Sequence, residues 1–538
     1  MHPPTLPTLP QFSQQKLLRR WQSGRPVLLS LAGGLLTGLL AAALRLGLEV
    51  LSRAAASITG YAPPGAPGEG GLMMSFGTPQ HLGLLLLPAL GALYVWLMPR
   101  DGEPLNQVVR IGLGKRSDAE QRWALDSEIQ SLSATALGSA GGLLVGRDAA
   151  FAALGRLGTR LLGLMTRLSA SENRTLVLAG TAAGLGAVLH APLAAAVLVA
   201  EVLYRRLEFE YEVLMSCVLS AVTAYAVYGL FFGFQPLFMT PQLDGLGLAD
   251  LPLGLAVTLA AVAAAWLALR VTARLPRLRG VLARVLAGAA FGALTAGLVL
   301  LVGPQVLGGG SGWMGLGLSG LLDGSSALQT AGWRWLLLTL GAALAFGAGV
   351  LPSAALGGLL GTGLSGLLGG DPAFGTLLGA AAFLTVTHNV PVAATLLAVA
   401  WGGEAMLPAA LLATGLAHVL SGSQGLLPAQ VASRSKRSEE ADAAAVVLAE
   451  ASRRSAAAQP GSGEQQLYRR PVPASWGGVA IGQLALPPSV EVAGVVRDGE
   501  IILPRRSLRL LREDEVMLLA RPDAYAALEA LLELPELK

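Results

Sequence analysis

Long, nearly uncharged apolar runs occupy most of this chain and restrict what it can fold into. A helix needs about 20 consecutive apolar residues to cross a bilayer core. Charged residues make up only 13% of the 538 residues, against roughly 25% in an ordinary soluble domain. The sequence therefore predicts a polytopic membrane protein. The runs of near-spanning length lie at about 27–44, 82–98, 174–200, 212–233, 251–269, 281–302, 334–350 and 373–400.

Glycine is too frequent for a bundle of simple spanning helices, with 69 residues in the chain. Irregular backbone at membrane depth is tolerated only where protein buries it or where it lines a cavity. The sequence therefore predicts an all-α membrane domain with broken and re-entrant helices arranged around a substrate cavity.

Two pairs of similar segments predict that the membrane domain consists of two homologous halves. AALG at 152–155 recurs at 354–357, and HAPLAAAVLVAE around Pro192 resembles NVPVAATLLAVA around Pro391, with nearly the same spacing. Each half would place a Gly-rich segment and a short apolar helix near the bilayer midplane. We expect the halves at about 26–235 and 250–430.

Basic residues beside the first and last apolar runs indicate the orientation of the chain. Because cytoplasmic flanks carry an excess of Lys and Arg, we expect both termini in the cytoplasm. A net charge of +4 placed in this way indicates a bilayer and no nucleic-acid partner. The flanking residues are Lys16, Arg19, Arg20 and Arg25 before the first run and Arg434, Lys436 and Arg437 after the last.

Cys217 is the single cysteine of the sequence. Neither an intrachain disulfide nor a cysteine-based metal site is therefore possible, and we expect no cofactor. The first apolar run is too long for a signal h-region, so we expect it to stay in the mature protein.

The composition changes on both sides of the membrane domain. We expect a polar tail at 1–25, the membrane domain at 26–430 and a charged linker at 431–463 that ends in a flexible Pro-Gly-Ser segment. Residues 464–538 predict a small soluble α/β domain. Its expected elements are a hairpin of strands 491–496 and 500–503 around an Asp-Gly turn, a strand at 515–520 and a helix at 522–533.

Two adjacent ionisable residues, Arg147 and Asp148, interrupt a long uncharged stretch of the membrane domain just after Gly146. A charge within a membrane segment costs at least about 2.5 kcal/mol and usually marks a functional site. Arg147 alone would also suit an interfacial position with its charge among the headgroups. Two further segments combine glycine with proline, FGAGVLP at 346–352 and RDGEP at 100–104.

Gly-rich turns that open into helices expose the first backbone N–H groups, and the helix dipole adds about half a positive charge there. Several such ends meeting near the midplane would bind a bare anion without any lysine in the path. A carboxylate tethered beside that site would occupy it in the absence of the anion. Asp148 is placed to be this competitor, and its titration near neutral pH would make transport depend on external acidity.

The order and spacing of these segments resemble those of the CLC chloride channels and transporters over about residues 80–425. Gly146-Arg147-Asp148 matches the family's GREGP-like segment, with aspartate in place of the gating glutamate. Further resemblance lies in PQVLGGGSGW at 304–313, in AAGL at 182–185 and in HAPLA at 190–194. The resemblance implies a homodimer of two inverted-repeat halves per subunit, in which each subunit has its own anion path gated by Asp148.

The resemblance also implies the partners and the residues around the anion. The partners would be chloride or another small anion and the bilayer of a bacterial inner membrane. The residues that would contact the anion are Asp101, Gly102, Gly146, Arg147, Gly349, Val350, Leu351 and Leu427.

The chain departs from the family pattern at several of these positions. Asp101 replaces the inner-gate serine, Val350 the pore phenylalanine and Leu427 the pore tyrosine. A carboxylate at 101 would repel anions unless it is protonated or turned away. Glu201 matches the first residue of the family's Glu-Glu pair, but Val202 replaces the second, which relays protons in exchangers.

We therefore interpret the chain as channel-like, with Glu201 as a buried structural acid or part of a proton path. The alternatives are a proton-coupled antiporter of chloride, fluoride or bicarbonate and a transport-inactive membrane sensor. An enzyme is not expected, because the sequence has no nucleophile and base pair or metal-spaced cluster.

The C-terminal segment resembles the TrkA-C type domain of potassium-conductance regulators, in VAGVVRDGEIILP at 492–504 and LREDEVMLLA at 511–520. Such domains commonly dimerise and bind small ligands, among them cyclic dinucleotides. The resemblance implies a cytoplasmic regulatory domain that binds a small ligand or nucleotide.

Overall fold

In the computed structural model the chain forms two compact units, one reaching to Ala432 and the other beginning at Ser433. Each is described by itself below. The residues described are 11–59, 83–99, 102–114, 124–166, 168–241, 243, 247–275, 278, 280–422, 424–434, 466–484, 486–487, 490–497, 500–511 and 513–520.

Helices connected by turns and loops form the described part of the first unit, which confirms the predicted all-α membrane domain. Its helices are α1 (Gln11–Thr59), α2 (Leu86–Leu97), α3 (Pro104–Gly112), α4 (Ala124–Ala140), α5 (Arg147–Met165), α6 (Ala170–Leu189), α7 (Pro192–Glu201), α8 (Tyr211–Phe232), α9 (Leu251–Arg274), α10 (Val281–Val302), α11 (Ser311–Leu318), α12 (Gly324–Gly341), α13 (Val350–Leu368), α14 (Pro372–His388), α15 (Pro391–Gly402) and α16 (Leu407–Ser421).

Six described segments are long and apolar enough to cross a membrane. They are Gly24–Ile58, Tyr211–Phe232, Leu248–Arg274, Val281–Val302, Val350–Leu368 and Glu404–Ser421. Large apolar side chains on several of these helices are exposed, as expected of lipid-facing surfaces.

Three apolar runs of the sequence are broken in the structure and do not form single spans. The run 174–200 ends its first helix at Leu189, and the run 373–400 ends its first helix at His388. The residues that follow, His190 and Asn389, have left-handed φ angles of 53° and 58°. Proline at the first position of each next helix keeps the helices separate, because it has no N–H to continue the ladder. The run 334–350 contains the end of α12 and the start of α13.

The order of helices repeats between the two halves of the membrane unit. The helices α5 and α13 each contain 19 residues and each follow a glycine N-cap, Gly146 or Gly349. Each is followed by a long helix, a left-handed residue and a short helix that starts at proline, Pro192 or Pro391. The similar segments of the sequence thus occupy equivalent places in the structure.

Glycine lets α5 and α6 in one half, and α13 and α14 in the other, approach backbone to backbone. A Cβ on Gly184 of α6 would overlap the carbonyl oxygen of Phe151 in α5, and one on Gly155 would overlap that of Gly180. In the second half, Gly357 and Gly379 occupy each other's Cβ space in the same way. Close approach of this kind is how helices associate where no hydrophobic force drives them together.

Adding a single methyl group at one of these contacts should destabilise the membrane unit. We expect Gly184→Ala to lower the free energy of unfolding by about 1–3 kcal/mol, because the carbonyl of Phe151 cannot move aside. Thermal unfolding in one detergent measures the effect. Gly297→Ala is the matched control, since a Cβ there meets nothing within 4 Å. A loss of stability as large for Gly297→Ala as for Gly184→Ala would contradict the contact.

The ends of the membrane unit differ from the expected boundaries. Helix α1 begins at Gln11, within the segment expected to be a polar tail. At the other end, the amide of Arg205 donates to Val431 O at 2.9 Å, and Tyr204 and Val431 form a parallel bridge. Residues 431 and 432 therefore belong to the membrane unit.

The described part of the second unit is an antiparallel sheet. Its strands are β1 (Gln466–Pro471), β2 (Val490–Arg497), β3 (Glu500–Ile502) and β4 (Glu515–Ala520), in the order β1-β4-β2-β3. The predicted hairpin is confirmed, with Val495 opposite Ile502, and so is the strand at 515–520. The expected helix at 522–533 lies outside the described residues.

A bidentate ion pair beside the sheet makes the stability of the second unit depend on pH. Arg497 donates from Nε and Nη2 to Asp514 at 2.8 and 2.7 Å, and the amide of Leu511 donates to Asp514 at 2.8 Å. The hydrogen bonds from Arg497 hold the pKa of Asp514 below its usual range. Its contribution to stability is therefore complete above about pH 4 and is lost as the pH falls through the lowered pKa.

We expect Asp514→Asn to lower the hydrogen-exchange protection of residues 515–520 in the full chain by about 1–3 kcal/mol at neutral pH. The difference from the native protein should shrink at acid pH, after correction for intrinsic exchange rates. Glu515→Gln is the control, since Glu515 pairs with Arg469 at an exposed site, where such pairs contribute little. A difference for Asp514→Asn that is unchanged at acid pH would contradict this account.

Candidate functional site

The carboxylate of Asp148, in the first turn of α5, lies against the first turn of α13. Its Oδ2 accepts hydrogen bonds from the amides of Val350 at 2.6 Å and Leu351 at 3.3 Å. These amides are among the four that a helix leaves without internal partners. Asp148 is 1% exposed, and within the described part of the chain its Oδ1 is buried without a partner. The segments 146–148 and 349–351, which the sequence singled out separately, thus meet at one point.

Backbone hydrogen bonds between loops bring the two helix starts together. The loop before α5 accepts at Gly142 O from the amide of Gly308, at 2.8 Å, and at Leu144 O from the amide of Gly347, at 2.7 Å. Gly347 and Gly142 have φ angles of 72° and 86°, in the left-handed region that glycine adopts without strain. The glycines of these segments therefore position α5 against α13.

A buried arginine holds the Gly-rich loop 304–310 in place. Arg334 of α12 is 2% exposed and donates to the carbonyls of Gln305 at 3.0 Å, Leu307 at 2.6 Å and Gly308 at 3.0 Å. Three backbone carbonyl dipoles thus stabilise the charge of Arg334. Sequence reasoning missed Arg334, which lies between two tryptophans and far in sequence from its partners.

An aromatic stack supports the loop before α13 from the other side. Phe346 stacks on Tyr94 and on Phe291 with ring centroids 4.5 and 4.2 Å apart. The hydroxyl of Tyr94 donates to Ala345 O at 2.8 Å. These contacts hold residues 345 and 346 of the loop that leads into α13.

Glycine is required at both N-caps that face Asp148. A Cβ on Gly146 would overlap Oδ1 of Asp148, and one on Gly349 would lie 2.8 Å from Oδ2. Side chains at either position would therefore displace the carboxylate. This explains the glycines that the sequence placed in the candidate site.

A second carboxylate lies at the start of α3. Glu103, the N-cap residue, accepts at Oε2 from the amides of Leu105 at 2.9 Å and Asn106 at 3.2 Å. It is 5% exposed, and Oε1 is buried with no partner among the described residues. The amide of Gly102, which was expected to contact the anion, donates instead to Pro99 O at 2.9 Å. Asp101 lies outside the described residues.

A buried ion-pair network connects α3, α4 and α5. Arg156 of α5 is 0% exposed and donates to Glu128 at 2.7 Å, to Pro104 O at 3.1 Å and to Gln107 Oε1 at 2.9 Å. Arg160, one turn further along α5, donates to the other oxygen of Glu128 at 3.1 Å. The network fixes the start of α3 relative to α5. Its only sequence signal was a pair of arginines at i,i+4 spacing in an apolar helix.

Glu201 caps a helix with both of its oxygens. Its Oε1 accepts from the amide of Val392 at 3.0 Å and its Oε2 from that of Ala393 at 2.8 Å, at the start of α15. Val202 O accepts from Gln430 Nε2 at 2.8 Å. This arrangement supports the interpretation of Glu201 as a buried structural acid, and its part in a proton path stays a prediction.

The other residues named from the sequence lie near the same helix ends. Leu427 is fully buried, in the same apolar cluster as Val350 and Leu351. The amide of Ala429 donates to Asn106 Oδ1 at 3.0 Å, which ties this segment to the start of α3. Arg147 donates to Ser311 Oγ at 3.4 Å.

Comparison with known proteins identifies two regions of the chain. The model of the voltage gated chloride channel family matches residues 85–422, and that of the TrkA-C domain matches residues 467–533. A putative chloride channel protein ClcB-like of Ralstonia nicotianae is 29% identical over 193 residues. That alignment covers 33% of this chain and 43% of the relative.

Solved structures show the same fold as the membrane unit. A CLC-type fluoride/proton antiporter matches at a TM-score of 0.60 with 23% identity, over 77% of this chain and 99% of that chain. A slow cyanobacterial Cl⁻/H⁺ antiporter matches at 0.59 with 20% identity, over 75% and 96%. A eukaryotic CLC transporter matches at 0.55 with 18% identity, over 75% and 73%.

The match from residue 85 to residue 422 spans more than half of the chain and includes Glu103, Asp148 and Val350. The protein therefore belongs to the voltage gated chloride channel family and carries a TrkA-C domain in its C-terminal part.

Proposed function

We propose that the membrane unit moves a small inorganic anion, chloride first, through a path that the Asp148 carboxylate gates. The observation that supports this is the contact of Asp148 Oδ2 with the amides of Val350 and Leu351. A helix start with free amides is a binding site for anions, and here a chain carboxylate takes the place of the anion. Permeation requires that the carboxylate leave.

One oxygen of the Asp148 carboxylate lacks a hydrogen-bond partner among the described residues. The carboxylate is therefore displaceable. Oδ1 is buried without a partner among the described residues, and such a group costs about 1–3 kcal/mol, more when charged. By contrast, both oxygens of Glu201 accept a backbone hydrogen bond. Asp148 is therefore the better candidate for a gate, and Glu201 for a structural cap.

We further propose channel-like conduction. Val202 cannot relay a proton, and Glu201 is held by two amides of α15. The alternative is proton-coupled antiport of chloride, fluoride or bicarbonate, which is favoured by the fact that two structural neighbours are proton-coupled antiporters. The two differ in whether protons move uphill with the anion.

Flux measurements on the native protein in liposomes test this proposal. We expect passive efflux of chloride, measured beside fluoride and bicarbonate, without uphill proton movement in a parallel pH recording. Stoichiometric proton movement against the proton gradient would contradict channel-like conduction and favour the proton-coupled antiporter. The absence of any anion flux, with ligand binding in the TrkA-C region intact, would favour the transport-inactive sensor.

For the cellular setting, we propose a bacterial inner membrane with both termini in the cytoplasm and a homodimer with one path per subunit. The TrkA-C domain would act as a cytoplasmic regulatory domain that binds a small ligand or nucleotide. What supports this is the domain match together with the distribution of basic residues at the ends of the membrane segments.

A further inference from the structure

The start of α3 resembles the start of α13 in how a carboxylate occupies it. Glu103 Oε2 accepts from two α3 amides, as Asp148 Oδ2 accepts from two α13 amides. In both cases the second carboxylate oxygen is buried and has no partner in the part of the chain that the structure describes. Among the described residues of the membrane unit, Asp148 and Glu103 are the two buried carboxylates left half satisfied in this way.

Glu103 is an unusual residue for capping alone. Helix caps prefer Ser, Thr, Asp and Asn, which reach the first amides from a short side chain. The chain provides such a cap for comparison at the start of α14, where Asp371 accepts from the amides of Ala373 at 2.7 Å and Phe374 at 3.3 Å. Proline follows both Glu103 and Asp371. Asp371 is exposed, whereas Glu103 is buried, so a cap at α3 alone does not require a buried glutamate.

The two half-satisfied carboxylates interact with each other. The Glu103 carboxyl interacts electrostatically with Asp148 and with Arg156, and Tyr94 interacts with Glu103 in turn. Two carboxylates whose charges interact in a buried region disfavour simultaneous ionisation. A permeant anion near these carboxylates would add a third negative charge and favour their protonation.

We propose that Glu103 is a second displaceable carboxylate of the transport path, which holds the α3 amides when ionised and releases them when it takes up a proton. The proposal rests on the proposed function, because it assumes that an anion passes the start of α13. A proton binds to the Glu103 carboxylate, the neutral acid loses its charge-assisted hydrogen bonds, and the amides of Leu105 and Asn106 become available to the anion.

The other charged groups near α3 are not expected to exchange protons. Arginine stays protonated, and both oxygens of Glu128 accept hydrogen bonds from arginines. Glu103 and Asp148 are therefore the groups expected to exchange protons. In the described residues the titratable and charged groups near α3 are Tyr94 on α2, Arg110 on α3, Glu128 on α4, Asp148, Arg156 and Arg160 on α5, and Arg174 with its partner Glu210 at the far end of α3.

Chloride efflux from liposomes at about pH 5 and about pH 8 tests the proposal in variants that lack the Asp148 carboxylate. We expect Asp148→Ala to keep an efflux that is at least about threefold faster at the acid pH, because Glu103 still titrates. Adding Glu103→Gln, whose side-chain oxygen still accepts from the α3 amides, should bring the two rates within about 1.5-fold of each other.

Three control variants separate the charge of Glu103 from its cap. Glu103→Asn, a preferred cap, should behave as Glu103→Gln does, and Glu103→Asp, which keeps the charge, should retain the dependence on pH. Asp371→Asn in the Asp148→Ala background should leave the dependence unchanged.

A flat pH profile in Asp148→Ala alone would overturn the proposal for Glu103 and leave the proposed function standing. So would an unchanged pH dependence after Glu103→Gln. Absence of chloride efflux from the native protein would instead overturn the proposed function, and this proposal with it.

Discussion

Liposomes that contain Asp148→Ala should release chloride at neutral pH at least about tenfold faster than liposomes with the native protein. The two amides of α13 that now bind Oδ2 become free for the anion. A hydrogen bond to a charged group contributes about 1.5–3 kcal/mol, and each 1.4 kcal/mol shifts occupancy about tenfold. Initial efflux rates at equal protein density, against the native protein, measure the change.

The same variant should respond less to pH than the native protein. In the native protein a proton neutralises Asp148 and weakens its hold on α13, so efflux should rise as the external pH falls. Removing the carboxylate removes that part of the response, and the part assigned to Glu103 remains. Glu201→Gln is the matched control, because Glu201 is equally buried and also caps a helix. An efflux rate of Asp148→Ala equal to that of the native protein would contradict the role of Asp148 as a gate. So would an equal increase in the efflux rate of Glu201→Gln.

The second large effect is expected on stability and concerns the arginine between α3, α4 and α5. Arg156→Met would remove the donor to Pro104 O and Gln107 Oε1 and one of the arginines that bind Glu128. Breaking a buried ion pair from one side costs about 3–5 kcal/mol, because the remaining charge stays in a low-dielectric region. We therefore expect a large fall in the thermal unfolding temperature of the detergent-solubilised protein.

An exposed arginine provides the comparison for this variant. Arg270 of α9 is exposed and lies over the ring of Trp266. Arg270→Met should change the unfolding temperature little, since exposed interactions of this kind contribute about 0.5–1 kcal/mol. If both variants unfold at the native temperature, the network does not stabilise the start of α3.

The sequence predicted the chemistry of the first turns better than the arrangement around them. Gly146, Asp148 and Gly349 stood out because charge is rare at membrane depth and Gly-rich turns open helices there, and the structure brings these residues together. Apolarity alone overestimated helix length, because a run such as 174–200 looks continuous whether or not its backbone breaks at His190. The Pro192 and Pro391 repeat carried the missing information, since proline marks the start of a new helix.

Long-range partners could not be predicted from the sequence. Arg334 binds carbonyls and Arg156 binds groups on two other helices, and backbone acceptors have no residue signature. In the sequence Glu103 is only one residue of RDGEP at 100–104, and nothing there indicates its burial. The N-cap role of Glu103 was predictable in principle from the following proline, but its burial depends on tertiary contacts.

Central to this account is that one position at the start of α13 accepts either the Asp148 carboxylate or a permeant anion. Crystals grown in bromide, with anomalous scattering used to locate the ion, test this most directly. In Asp148→Ala we predict a bromide peak within hydrogen-bonding distance of the amide nitrogens of Val350 and Leu351, where native Oδ2 lies. An Asp148→Ala crystal with no bromide at these amides, under conditions in which the variant transports bromide, would contradict it.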